Sequence, residues 1–133
     1  MDKRGKVLVV DDEASVRDLF GSTFTEAGYE VILAEGGKDA LAILKIHDID
    51  VIFLDLKLFG MNGIDLCRQI RKTKPVSMIY AMTGWSALFE IDECREAGFD
   101  DFFEKPLDME MLLSLVEQAF ARLERWKKRY KPI

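Results

Sequence analysis

Val7-Leu8-Val9-Val10-Asp11-Asp12 and Val51-Ile52-Phe53-Leu54-Asp55 decide how this chain folds. Each is an unbroken apolar run, rich in β-branched residues, that ends abruptly on acid. Continuous apolar runs of four to five residues fit strands covered on both faces, as in a parallel sheet. If the two strands are neighbours, Asp11, Asp12 and Asp55 converge at one edge of the sheet. Three carboxylates that close together do not all ionise without a cation beside them.

Working outward, apolar runs at 6–10, 30–34, 51–55, 77–82 and 101–104 alternate with helical patterns. Val16, Leu19, Phe20, Phe24 and Ala27 form a helical stripe that stops at Gly28, a C-terminal cap. Ala40, Leu41 and Leu44 form a second. Leu66, Cys67 and Ile70 form a third, which stops before Pro75. A fourth helix near 87–97 is weakly patterned and ends at Gly98. A fifth follows Pro106, takes Asp108 as its N-cap and runs to about residue 129. Alternating βα units with right-handed crossovers give a doubly wound (βα)5 parallel sheet of the flavodoxin-like kind. Strand order 2-1-3-4-5 makes the first and third strands neighbours and puts the ligand site at their carboxyl ends.

The composition agrees with one soluble globular domain. The 133 residues are 49% apolar and 32% charged, enough for a single core. No apolar run approaches the ~20 residues that span a membrane, and the first residues lack a signal-peptide pattern. Cys67 and Cys94 lie in helical patterns as buried thiols, which fits a reducing cytoplasm. The net charge of −5 is uneven. Residues 122–131 carry six cations and one acid, so the body before them is acidic.

The acid cluster asks for a small hard cation with oxygen ligands, and Mg²⁺ fits best. Asp12 and Asp55 would bind directly, Asp11 mostly through water. Two further strand ends add to the site. Thr83, followed by Gly84, brings a hydroxyl, and Lys105, before Pro106, brings an ammonium. Carboxylate, metal, hydroxyl and ammonium together can bind a phosphoryl group on Asp55, since aspartate is a competent covalent phosphoryl acceptor.

Five segments carry a family resemblance: Val9-Val10-Asp11-Asp12-Glu13, Leu54-Asp55-Leu56, Met61-Asn62-Gly63, Met82-Thr83-Gly84 and Asp100-Asp101-Phe102-Phe103-Glu104-Lys105-Pro106. In this order and spacing, the chain resembles the receiver domain of bacterial two-component response regulators over about residues 5–121. Residues 122–133 then form a basic helical extension or linker. The resemblance implies Asp55 as the phosphorylation site and Mg²⁺ held by Asp12, Asp55 and the backbone carbonyl of Lys57. It implies Thr83 and Phe102 as a switch pair and a cis bond at Lys105–Pro106 that aims Lys105. It further implies a histidine kinase or histidine phosphotransfer protein as partner. A homodimer would form through the face of helix 4, strand 5 and helix 5 or through the C-terminal helix.

The chain departs from the family pattern after the phosphorylation site, where Phe59 stands in place of the usual proline. Lys57 and Trp85 flank the phosphoryl site at positions that set water access and hence dephosphorylation rate. Trp85 reads equally as a packed surface aromatic. Phe102 and Phe103 face opposite ways, one into the core and one toward a switch position. Met109, Leu112, Val116, Ala119, Leu123, Trp126 and Tyr130 continue one helical seam. Its last three members either extend the helix toward a dimer or output domain, or fold back on the body. The basic run lacks a recognisable DNA-binding motif, so direct nucleic-acid binding is set aside. Two other readings compete. An aspartate-nucleophile phosphohydrolase needs a second acid two residues after its nucleophile, where this chain has Lys57. A receiver-like docking module without phosphorylation would leave the complete acidic set unused.

Overall fold

The computed structural model describes residues 4–84 and 91–129. Ten elements alternate along it: β1 Lys6–Val10, α1 Ala14–Glu26, β2 Glu30–Ala34, α2 Gly37–Ile46, β3 Val51–Asp55, α3 Gly63–Thr73, β4 Met78–Thr83, α4 Ile91–Ala97, β5 Asp101–Glu104 and α5 Met109–Arg129. All strand pairings are parallel, and the order is β2-β1-β3-β4-β5. This is the flavodoxin-like topology that the two apolar runs predict. The expected start of the fourth helix and Trp85 fall outside the described residues, as does Tyr130.

Strand alternation sorts the core into two layers. Leu8, Val10, Ile52, Leu54, Ile79 and Ala81 face one way and pack with residues of α2, α3 and α4. Val7, Val9, Val51, Phe53, Tyr80 and Met82 face the other way, against α1 and α5. The second layer is strongly aromatic. Phe53 touches Phe20, Phe24 and Tyr80, with ring centroids 5.1 to 6.2 Å apart. Aromatic pairs at such distances add about 0.5–1.5 kcal/mol each beyond area burial. The central strands β1 and β3 are therefore pinned on both faces, and their carboxyl ends form a rigid edge.

The helix ends follow local chemistry. Gly28 follows α1 with φ +99°, a left-handed conformation that favours glycine. The Asn62 side chain caps α3 by accepting from Asp65 N at 2.8 Å. Asp108 Oδ1 accepts from Met111 N at 3.2 Å at the start of α5, the N-cap expected there. The α1 stripe is only partly buried. Phe20 and Phe24 are enclosed, but Leu19 is 45% exposed, because α1 turns only the Phe20–Phe24 ridge to the sheet. β4 begins and ends one residue later than the apolar pattern suggests, and so reaches Thr83.

α5 is a continuous 21-residue helix to Arg129. Leu123 is buried in the α1/α5 layer, and Trp126 is 44% exposed. Lys127 Nζ reaches Asp50 Oδ2 at 2.9 Å, so the seam both extends the helix and meets the body. Cys67 and Cys94 are buried thiols not joined in a disulfide. Burial pushes the Cys67 thiol up to about 12.

Candidate functional site at the carboxyl edge of the sheet

Register builds the site. Val10 pairs with Leu54 in the β1–β3 ladder, so Asp11 and Asp55 follow side by side. Asp55 pairs with Met82 in the β3–β4 ladder, and Thr83 pairs with Glu104 between β4 and β5. Lys105 N then donates to Thr83 O at 2.8 Å. Asp11, Asp55, Thr83 and Lys105, from four strand ends, thus share one edge without any long loop to place them.

Asp11 is fully buried, and the Asp55 side chain is only 6% exposed. Lys105 lies among three carboxylates. Its Nζ is 2.9 Å from Asp11 Oδ2, 2.9 Å from Glu13 Oε1 and 3.3 Å from Asp55 Oδ2. The contacts to Glu13 and Asp55 have hydrogen-bond geometry. The contact to Asp11 Oδ2 is an ion pair outside that geometry, and this buried oxygen has no hydrogen-bond donor. Asp11 Oδ1 accepts from Glu13 N at 2.9 Å, and Asp55 Oδ1 accepts from Lys57 N at 3.1 Å.

The electrostatics follow from this crowding. Burial raises the Asp55 pKa from 3.8 to about 6; the Lys57 N–H opposes the rise, the Asp11 charge adds to it and Lys105 opposes it. Burial alone would lower the Lys105 ammonium, but the Asp11 carboxylate beside it, the Glu13 hydrogen bond and the Asp55 charge outweigh it and hold its pKa above the ordinary value.

The donor set fits a hard divalent cation. Carboxylate oxygens of Asp11, Asp12, Glu13 and Asp55 lie within 4.8 Å of one another. One of the buried oxygens lacks a donor, and burial already penalises a bare charge on Asp55. An oxygen-only set with exposed members open to water suits Mg²⁺.

The other residues singled out in the sequence take distinct places. Asp12 and Lys57 are exposed beside the buried pair. Thr83 is buried at the end of β4. Gly84 is exposed, with open space where a Cβ would stand. The Lys105–Pro106 bond is cis. Phe102 is half-buried against the α3/α4 layer, and Phe103 packs against the opposite one. Their opposite facing is as expected, but both are partly covered. Phe102 lines a cleft of about 190 Å³ with Ile91, Cys94 and Phe99. Phe59 is 92% exposed next to Gly60 at φ +86°. His47, the single histidine of the sequence, is half-buried at the C-terminal end of α2.

Three contributors are not evident from residue type and spacing. Glu13 is a Lys105 partner, because the turn into α1 lifts it beside the β5 end. Arg17 Nη1 donates to Asp11 O at 2.8 Å and so fixes the β1 terminus. Gly63 lies so close to β3 that a Cβ would overlap the Asp55 carbonyl. Glu13 and Gly63 had a sequence signal only as members of Val9-Val10-Asp11-Asp12-Glu13 and Met61-Asn62-Gly63, without these roles; Arg17 had none.

Comparison with known proteins identifies the family. The response regulator receiver domain matches residues 7–117. The chain belongs to the response regulator receiver domain family. It is 36% identical over 121 residues to the Bacillus subtilis uncharacterized transcriptional regulatory protein YrkP, covering 91% of this chain and 50% of that protein. It is 31% identical to sporulation initiation phosphotransferase F of Bacillus subtilis, covering 85% of this chain and 91% of that protein. Among solved structures, a CheY-like receiver domain protein from Methanospirillum hungatei JF-1 aligns with TM-score 0.87 at 26% identity, covering 91% of this chain and 97% of that one. Chemotaxis protein CheY4 of Vibrio cholerae aligns with TM-score 0.82 at 30% identity, covering 86% and 98%. The chain spans half or less of several curated relatives, including 30% of a Thermotoga maritima cyclic di-GMP phosphodiesterase. No helix among the described residues is long and apolar enough to cross a membrane.

Proposed function

We propose that this chain is a phosphorylation-controlled switch whose acceptor is Asp55. The observation that carries the reading is the meeting of Asp11, Asp55 and Lys105 within about one hydrogen-bond length at a single sheet edge. One Asp55 carboxylate oxygen attacks the phosphorus of a phosphohistidine on a partner kinase or phosphotransfer protein. The P–N bond breaks as the P–O bond forms, and the imidazole leaves with its electron pair and takes up a proton. The product is an acyl phosphate on Asp55. Asp12, Asp55 and the Lys57 carbonyl would hold Mg²⁺, with Asp11 acting mostly through water, and the ion when bound would neutralise charge on the phosphoryl oxygens.

Lys105 is poised to move from the Asp55 carboxylate to a phosphoryl oxygen, a preorganised cation aimed where charge develops. The Thr83 hydroxyl and the Gly84 backbone lie at the same edge to receive another oxygen. Thr83 moves toward the adduct, and Phe102 follows into the space along β5. The surface of α4, β5 and α5 changes shape for a partner or a second copy. A phosphoryl group adds roughly 1.5–2 negative charges, enough to bias surface states separated by a few kcal/mol. Lys57 and Trp85 set access of hydrolytic water. Residues 122–133 serve as the helical extension or linker beyond this switch, in a cytoplasmic setting.

Incubation with acetyl phosphate and Mg²⁺ should add one labile phosphoryl group, measurable as intact mass and absent in Asp55→Ala. A wild-type chain that binds Mg²⁺ yet forms no adduct overturns the reading. Steady turnover of a phosphate ester would replace it with the phosphohydrolase.

A further inference from the structure

Glu13 stands apart from the other acids of the site. It is the N-cap residue of α1, with extended φ −86° and ψ 117°. Its backbone is fixed by three hydrogen bonds: its N–H donates to Asp11 Oδ1, and its carbonyl accepts from Val16 N and Arg17 N. Its side chain is 57% exposed, yet Oε1 accepts a hydrogen bond from Lys105 Nζ at 2.9 Å. The other two partners of Lys105 are the buried oxygens of Asp11 and Asp55, which belong with Asp12 and Glu13 to the acid group able to hold a divalent cation. An ammonium and a divalent ion sharing those oxygens repel each other. Glu13 approaches Lys105 from the solvent side and can keep its hold when the buried pair is engaged.

We infer that Glu13 is a positioning residue that holds the Lys105 ammonium at Asp55 for phosphoryl transfer. The inference rests on the phosphoacceptor reading above. It assigns Glu13 a role through Lys105, distinct from metal ligation by Asp12 and Asp55. Loss of one charge-assisted hydrogen bond at a half-exposed site corresponds to about a three- to tenfold change.

The test is a double-mutant cycle on the full chain, with phosphoramidate as donor and saturating Mg²⁺. Glu13→Gln should form the adduct about three- to tenfold more slowly than wild type. In a Lys105→Met background, Glu13→Gln should slow it no further. Calorimetric Mg²⁺ affinity of the unphosphorylated Glu13→Gln protein should change less than threefold. A Glu13→Gln rate equal to wild type overturns the inference, as does an equal slowing in the Lys105→Met background. A tenfold or greater loss of Mg²⁺ affinity also overturns it and makes Glu13 a metal ligand. A wild-type chain that forms no adduct overturns the phosphoacceptor reading beneath it, so the two failures are distinguishable.

Discussion

Asp55 Oδ2 and Lys105 Nζ stand 3.3 Å apart at the edge of the sheet although 50 residues separate them in the chain. Despite this cation, burial and the nearby Asp11 keep the Asp55 pKa at about 6, above its ordinary 3.8. Between these values the folded chain holds a proton that the unfolded chain has lost. Its stability therefore falls as pH rises from about 4 to about 6, by on the order of 3 kcal/mol for the full shift. Urea unfolding of the metal-free protein across that window should show this slope. Asp55→Asn should flatten it and be more stable than wild type at pH 7. Saturating Mg²⁺ should recover much of the loss in wild type by binding the ionised form.

Gly63 abuts the backbone of Asp55 from the α3 side. A Cβ there would overlap the Asp55 carbonyl and lie 2.9 Å from Leu56 Cα. Both neighbours are buried backbone at the end of β3 and cannot yield cheaply. Gly63→Ala should cost about 1–3 kcal/mol and, by shifting β3, slow adduct formation. Gly84→Ala is the control for stability: no described atom lies within 4 Å of its would-be Cβ, so its stability should stay within about 0.5 kcal/mol of wild type. Paired denaturation curves and phosphorylation rates check both.

At the opposite end of the sheet, Arg71 ties three segments together. Its Nε and Nη2 donate to Gly98 O at 2.9 and 2.6 Å, and Nη2 also meets Asp100 Oδ2 at 2.8 Å. Nη1 donates to Ser77 O, while Asp100 Oδ2 accepts from Ile79 N at 2.8 Å. Removing the guanidinium strands several part-buried carbonyls. Arg71→Ala should lose about 2–4 kcal/mol by thermal or urea unfolding. Arg71→Lys should recover less than half of that, because a point ammonium cannot fork to two segments at once.

What the sequence revealed and concealed follows from range. β1 and β3 were legible because burial on both faces writes itself as an unbroken apolar run, and the acids after them were legible as an interruption of that run. Once those strands are neighbours, the places of Asp11, Asp55, Thr83 and Lys105 follow from register alone. Arg71 and Glu13 were not legible in these roles. Each is an ordinary charged residue at a helix end, and its partners lie 27 and 92 residues away. Leu19 was misleading for the opposite reason: it keeps helical spacing with Phe20 and Phe24 but sits on the margin of the stripe, where α1 meets solvent.

The last turns of α5 allow a test of how far the body reaches. Leu123 is 4% exposed in the α1/α5 core layer, whereas Trp126 is 44% exposed. Lys127 is joined to Asp50 at 2.9 Å on a side chain 66% open to water. Large-to-small truncation in a core costs transfer energy plus a cavity, so Leu123→Ala should lose about 2–4 kcal/mol. Trp126→Ala removes a half-covered ring and should lose less. Lys127→Ala breaks a screened surface pair, should cost under about 1 kcal/mol, and its effect should shrink further in 0.5–1 M salt. Urea midpoints in low and high salt measure all three. A chain ended after Ala121 should unfold at clearly lower urea than one ended after Arg129, because Leu123 goes with the cut. Equal midpoints would place the edge of the folded body at residue 121 and leave the basic turns of α5 as a linker outside it.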